Sequence, residues 1–260
     1  MTDEQGFIDR HYLLLRRLHS LSGIFPIGLF LLPHLTTNSS IVWGRMSGGV
    51  AGGVETFQHE VNFIHSLPAL LLIEIFGLWL PLAFHAVLGV YFARTGHSNV
   101  SRYAYQSNWR YTWQRLTGYV AFVFIFMHVA SLRWGWSFWG LMPAFDPEYA
   151  ASSTAIHFQD GLWGSFAAVF YLVGVLAIVF HFANGLWTAA ITWGLTISAT
   201  SQRRWGYACA GLGMALAAAG VTAILGFATL NPEEAEMVER EMKETPVMES
   251  DVAMVRPEDS

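Results

Sequence analysis

Four of the chain's ten histidines, His34, His85, His128 and His181, each lie within a long run free of Asp, Glu, Lys and Arg. An imidazole in such a run can hydrogen-bond between helices, carry a proton or bind a metal. For any one of them a helix-bridging hydrogen bond is the plain explanation. Four of them, one in each of four apolar runs, favour metal ligation. The single cysteine, Cys209, leaves no thiolate iron–sulfur site, no disulfide framework and no C-x-x-C-H motif for covalent haem. Imidazole ligands without that motif point to haem b. With histidine on both axial positions, iron has no open site, which suits electron transfer rather than oxygen activation. No glycine-rich nucleotide loop is present, so a flavin would have to come from a partner. The few basic residues are nearly all arginine, which argues against nucleic acid as a partner.

Such histidines need apolar elements to hold them. Only 13% of the 260 residues are charged, against about a quarter in soluble domains. Five segments have the roughly 20 mainly apolar residues that a membrane span requires: 18–37, 67–93 (with one charge, Glu74), 116–132, a stretch within 161–202, and 205–230. An all-α membrane protein, a five-helix transmembrane bundle, is therefore expected. Arg10, Arg16 and Arg17 precede the first span, Arg94, Arg102, Arg110 and Arg115 lie between the second and third, and Arg203 and Arg204 between the fourth and fifth. By the positive-inside rule the N-terminus is cytoplasmic and the C-terminus outside. Tryptophans such as Trp43, Trp109, Trp134 and Trp205 fall at the boundaries, where aromatic belts belong. Arg16-Arg17 before an apolar run imitates a twin-arginine signal, but no small-residue cleavage site follows Leu32 and four more spans come after it. The expected organisation is a cytoplasmic segment at 1–15, a transmembrane dihaem domain at 16–230, and an acidic, partly disordered tail at 231–260. In the tail, Asn231-Pro232-Glu233-Glu234 reads as the start of a short surface helix.

Depth sorts the histidines into pairs. At 1.5 Å per residue, His34 is roughly 25 Å from Arg17 and His128 roughly 20 Å from Arg115, so both fall in the outer half. On the two inward-running helices, His85 is roughly 27 Å past Leu67 and His181 roughly 26 Å past Gly164, so both fall in the inner half. Two bis-histidine haems stacked across the bilayer need this arrangement. Phe84-His85…Gly89 and Phe180-His181…Gly185 share a pattern in which a glycine one turn on leaves room for a flat macrocycle. The first and third spans share Arg-Leu with a nearby glycine, Gly23 and Gly118. Ordinary close helix packing is the competing account of these glycines. Arg16, Arg17 and His19 are available for haem propionates, or serve only to set topology. A stacked pair with no flavin or cluster of its own fits a membrane anchor that exchanges electrons with a lipid quinone.

The ordered stretches Arg16-Arg17-Leu18-His19-Ser20-Leu21, Leu32-Pro33-His34-Leu35, Ser66-Leu67-Pro68, Glu74-Ile75-Phe76, PLAFHAVLGVY from Pro81, Gln114-Arg115-Leu116-Thr117-Gly118, FHFANGLW from Phe180, Thr192-Trp193-Gly194 and Ser201-Gln202-Arg203 resemble the single-chain dihaem cytochrome b558 subunit of succinate dehydrogenase and fumarate reductase. The resemblance covers residues 10–230. It implies a multi-pass protein of the bacterial cytoplasmic membrane, within respiratory complex II of the tricarboxylic acid cycle. Its partners would be a flavoprotein subunit and an iron–sulfur subunit. Its cofactors would be two haem b groups and a quinone, typically menaquinone. His85 and His181 would ligate the proximal haem, and His34 and His128 the distal one.

The sequence departs from that family in two places. The stretch 41–65 is longer and glycine-rich, and reads as a loop. Fumarate-reducing members carry a glutamate two positions before the helix-four ligand, where this chain has Val179, which favours succinate oxidation. Glu60 and His65, with His59, precede the second span and are candidates for handling quinone protons, or form a solvated polar loop. Glu74 could face a cavity and carry a proton, or be a neutral acid hydrogen-bonded in the bundle. An anchor of a hydrogenase or formate dehydrogenase, and a haem-free transporter, are the competing functions. The ligand motifs oppose the first, and no inverted repeat supports the second.

Overall fold

The computed structural model describes residues 3–95 and 106–244, and among them every regular element is a helix. Helix α1 (Asp3–Ser22) continues through a π-helical segment (Gly23–Gly28) into α2 (Leu29–Trp43). The break falls at Phe25, whose φ of −133° and ψ of 119° are extended, because Pro26 disfavours helical geometry in the residue before it. Then come α3 (Arg45–His65), α4 (Leu70–Glu74), a second π segment (Ile75–Trp79) and α5 (Leu80–Thr95). Helix α6 (Gln106–Leu132), α7 (Ala150–Gln159), α8 (Gly161–Thr192), α9 (Ala199–Ala228) and α10 (Pro232–Glu244) complete the chain.

Among the described residues, five helices are long and apolar enough to cross a membrane: Arg10–Trp43, Leu70–Thr95, Trp109–Leu132, Gly161–Thr192 and Ala199–Ala228. They are the five spans expected, with ends that differ by up to about two turns; the first is longer at both ends. Within the segment expected to be cytoplasmic, residues 3–15 form the first turns of α1. Arg102, used for topology, lies outside the described residues. The 32-residue α8 is about 48 Å long, so it must tilt or project beyond a hydrocarbon core of about 30 Å. Exposed Leu71, Phe76, Leu80 and Val87 on the second span, and Val123 and Phe126 on the third, face away from the interior cavity. That outward face suits lipid. Close packing joins α8 to α6 and α9: Gly174 lies against the Phe124 ring, and a Cβ at Gly213 would sit 3.0 Å from that of Ala183. The second span differs, since its most apolar stretch has no buried residue. A cavity of about 770 Å3 lies between it and its neighbours.

Two segments differ from the sequence reading. Residues 45–65 are not a loop but α3, bent at Gly48–Gly49, where Gly49 adopts φ 64°. Glycine richness reads as loop, but Val54 and Phe57 are buried on one face, and tertiary packing overrides propensity. The helix expected to start at Asn231 is present, but it is packed against the rest of the protein rather than lying free on the surface. Residues 232–244 form α10, started by Asn231, whose Oδ1 accepts from Glu233 N (3.0 Å) and Glu234 N (3.4 Å), and this helix packs on α7 and α3. Residues 245–260 lie outside the described residues.

Helices α3, α7 and α10 form a cap beside the spans. The first N–H groups of a helix have no intrahelical acceptor, and at α7 two distant side chains supply it. Gln58 Oε1 accepts from Ala150 N at 2.8 Å, while its Nε2 donates to Pro147 O at 2.9 Å. The carboxylate of Glu239, 1% exposed, accepts from Ala151 N (2.6 Å), Ser152 N and the Ser152 hydroxyl. A negative group there also suits the helix dipole. At the other end of α7, Gln159 Nε2 donates to Phe227 O and Leu230 O, tying α7 to the end of α9.

Glu239→Ala leaves these buried donors unpaired, a cost of about 1–3 kcal/mol. Trypsin should therefore cut at Arg240 and Lys243 markedly faster in the variant. Glu236→Ala, which removes only the exposed pair with Arg240, should leave the cleavage rate close to that of the parent. Equal rates in all three proteins would mean that Glu239 does not hold α10.

Candidate functional site

The structure brings the four intramembrane histidines together as two pairs. His85 (α5) and His181 (α8) have ring centroids 6.0 Å apart with planes at 86°, and His34 (α2) and His128 (α6) are 5.8 Å apart at 81°. With metal–nitrogen bonds of about 2 Å, two imidazoles on opposite sides of one metal hold their ring centres roughly 6 Å apart. All four line the same cavity. No cluster of three or more His, Cys, Asp or Glu able to hold a bare metal ion occurs among the described residues. Two opposed imidazoles with apolar space beside them fit a metal whose other four ligands arrive in a flat macrocycle, as in haem.

Backbone carbonyls fix the first pair. His85 Nδ1 lies 2.8 Å from the His19 carbonyl, and His181 Nδ1 lies 3.0 Å from that of Gln114. A carbonyl can only accept, so each Nδ1 carries the hydrogen and each Nε2 keeps its lone pair for a metal. Four residues after each carbonyl comes a glycine on the same face. A Cβ at Gly23 would collide with His85 Cε1, and one at Gly118 would lie 2.9 Å from His181 Cε1. The carbonyl and the glycine together form a slot for the imidazole of the neighbouring helix, built once on the first span and again on the third. Gly89 and Gly185, one turn after the histidines, also line the cavity and pack against His19 and Gln114 in return. Gln114 is tied further, its Nε2 donating to the His181 carbonyl and its Oε1 accepting from Asn184. His19, considered for propionates, stacks on His85 at 4.0 Å and 12°. Arg16 lines the cavity at this end, its guanidinium over Phe92, whereas Arg17 lies over Trp193.

Aromatic rings fix the second pair. Phe30 stacks on His34 at 5.2 Å and Phe124 on His128 at 5.6 Å, each from one turn before its histidine. His128 Nδ1 lies 3.3 Å from Tyr171 Oη, which in turn lies 3.3 Å from Nε2 of His157. Trp163 Nε1 donates to the same nitrogen at 3.0 Å. His157, on α7, is 1% exposed, and burial lowers its pKa to about 4, so it is neutral at physiological pH. Sequence reasoning missed Tyr171 and His157. Nothing in the local pattern AIHFQD distinguishes His157 from a surface histidine.

Among the polar candidates near the second span, His65 lines the cavity, while Glu60 and His59 are not part of its wall. Glu74 does line it, as the bidentate partner of Arg133, with both N–O distances 2.9 Å. It is thus an ion-pair carboxylate, not the neutral, hydrogen-bonded acid that the sequence left open. Val179 is buried against Leu35 and Leu216.

No protein-family model matches the chain. It is similar to the succinate dehydrogenase cytochrome b558 subunit of Bacillus subtilis (strain 168), with 39% identity over 212 residues, 82% of this chain and 95% of that protein.

The glycine slots make a direct prediction. Gly118→Ala places a methyl group against His181 and costs about 1–3 kcal/mol of overpacking. Haem content should fall by up to one per chain. Gly211→Ala, where a Cβ meets open space, should leave it unchanged.

Proposed function

Because this chain belongs to the family of succinate dehydrogenase cytochrome b558 subunits, we propose that it anchors that enzyme in the membrane and passes electrons from the iron–sulfur subunit, through two bis-histidine haems b, to a membrane quinone. His85 and His181 hold the proximal haem, and His34 and His128 the distal one. The observation that carries this reading is the pairing of the four rings at 6.0 and 5.8 Å, with the Nδ1 atoms of His85 and His181 engaged by carbonyls so that both Nε2 atoms are free. Bound there, haem b would supply one-electron transfer. The residues keep the imidazoles neutral, oriented and shielded from water by the apolar spans.

The two sites follow one another along the helices. On the unbroken helix α6, His128 is 10 residues beyond Gly118, which adjoins His181, a rise of about 15 Å. With the N-terminus in the cytoplasm, the proximal pair faces the flavoprotein and iron–sulfur subunits, and the distal pair faces the outer leaflet. The quinone, menaquinone in this reading, enters at the distal end of the cavity. His65 is the stronger candidate for its protons because it lines the cavity, and Glu60 acts at most from behind that wall. Val179 offers no ionisable group beside the helix-four ligand, which supports the succinate-oxidising direction.

A complex purified in mild detergent should contain two b-type haems per chain by reduced-minus-oxidised spectrum and pyridine haemochrome, both reducible by succinate. His85→Ala should lose one haem and keep the other; a folded variant with both would overturn the ligand assignment. His65→Ala should slow menaquinone reduction about tenfold or more with both haems retained, and Glu60→Gln should slow it less. Normal turnover in His65→Ala would remove that residue from the quinone site.

A further inference from the structure

We infer that Tyr171, itself held by His157, is the positioning residue that orients His128 and tunes the distal haem, a task that backbone carbonyls perform at the proximal haem. The inference rests on the ligand assignment proposed above. Its ground is a contrast between the two sites. Both proximal imidazoles have a main-chain carbonyl at Nδ1. At the distal pair, Tyr171 Oη is the only hydrogen-bonding partner of either ring among the described residues.

Proton bookkeeping fixes the direction of this chain. When Nε2 of His128 binds iron, the neutral ring keeps its hydrogen on Nδ1 and must donate it. Tyr171 Oη, 3.3 Å away, accepts. The phenol hydrogen then needs an acceptor of its own, and Nε2 of His157 lies 3.3 Å away. That nitrogen is unprotonated, since Trp163 Nε1 also donates to it at 3.0 Å, and its single lone pair is shared between the indole and, as the longer branch, the phenol. The other nitrogen of His157 is buried, with the Pro143 carbonyl beside it but outside good hydrogen-bond geometry. Tyr171 and His157 are 7% and 1% exposed, so water cannot replace either contact. A phenol that donates onward accepts more strongly, because linked hydrogen bonds polarise one another. An acceptor at Nδ1 raises the basicity of the ligand and favours ferric iron. Removing it raises the distal potential.

The test is a potentiometric titration of the purified complex, followed by the two low-spin ferric EPR signals. His128→Ala, or His34→Ala if that variant does not accumulate, identifies the distal signal as the one that disappears. Tyr171→Phe should shift that signal and raise its midpoint while leaving the other in place. His157→Phe, which removes the onward acceptor and with it the partner of Trp163 Nε1, should move the same signal in the same direction by a smaller amount. If the distal signal stays put in both variants, or if both signals move equally, the inference fails. If His128→Ala and His34→Ala each retain two haems, the ligand assignment itself fails, and that outcome is distinct from the first.

Discussion

An imidazole placed among apolar helices gains from an acceptor for its N–H, because no water is available to take it, and three of the four intramembrane histidines have a partner at Nδ1. The rest of the bundle follows from that constraint. A ring whose N–H is committed has its other nitrogen aimed in a fixed direction, so the acceptor decides what the histidine can bind. At His85 and His181 the acceptor is a carbonyl left available beside a glycine. The same glycine admits the ring, so the sequence device that lets two helices approach also fixes a tautomer. The slot appears on the first span and again on the third, each time serving a histidine from another helix. This repetition gives the bundle an internal likeness that neither half shows alone.

Around the cavity, burial is shared unequally. Helices α6, α8 and α9 pack directly, with glycines beneath Phe124 and against Ala183. The second span meets the others across the cavity instead of through a packed seam, and it is rich in outward-facing apolar side chains. Its position therefore depends on what it shares with the first span, above all the contact of His85 with His19 and Ser22. The Glu74–Arg133 pair joins it to the end of the third span.

Features with a local period were legible in the sequence. The five spans, the four histidines inside them and the sorting of those histidines into two depths follow from hydropathy and a fixed rise per residue. The glycines at Gly23 and Gly118 were visible, but their contacts with His85 and His181 were not, since nothing in a single helix names the ring that will cross it. Long-range polar partnerships were illegible for the same reason. Glu74 with Arg133, Gln58 and Glu239 with α7, and Tyr171 with His128 join residues far apart in the chain. Helix α3 was misread because a glycine count registers flexibility, whereas the burial of Val54 and Phe57 that holds the helix is supplied from elsewhere.

The cap on α7 also sets an order of events. Ribosomes extend a chain from its N-terminus, so Ala151 and Ser152 exist well before Glu239, the group that accepts from them. Between them the chain must still lay down α8 and α9, and only then can α10 fold back. Until that moment the start of α7 has one of its two side-chain acceptors, Gln58, and lacks the carboxylate. Maturation of this end of the protein is therefore delayed until the whole bundle has been threaded, which leaves an interval during synthesis in which the first turn of α7 is capped by Gln58 alone.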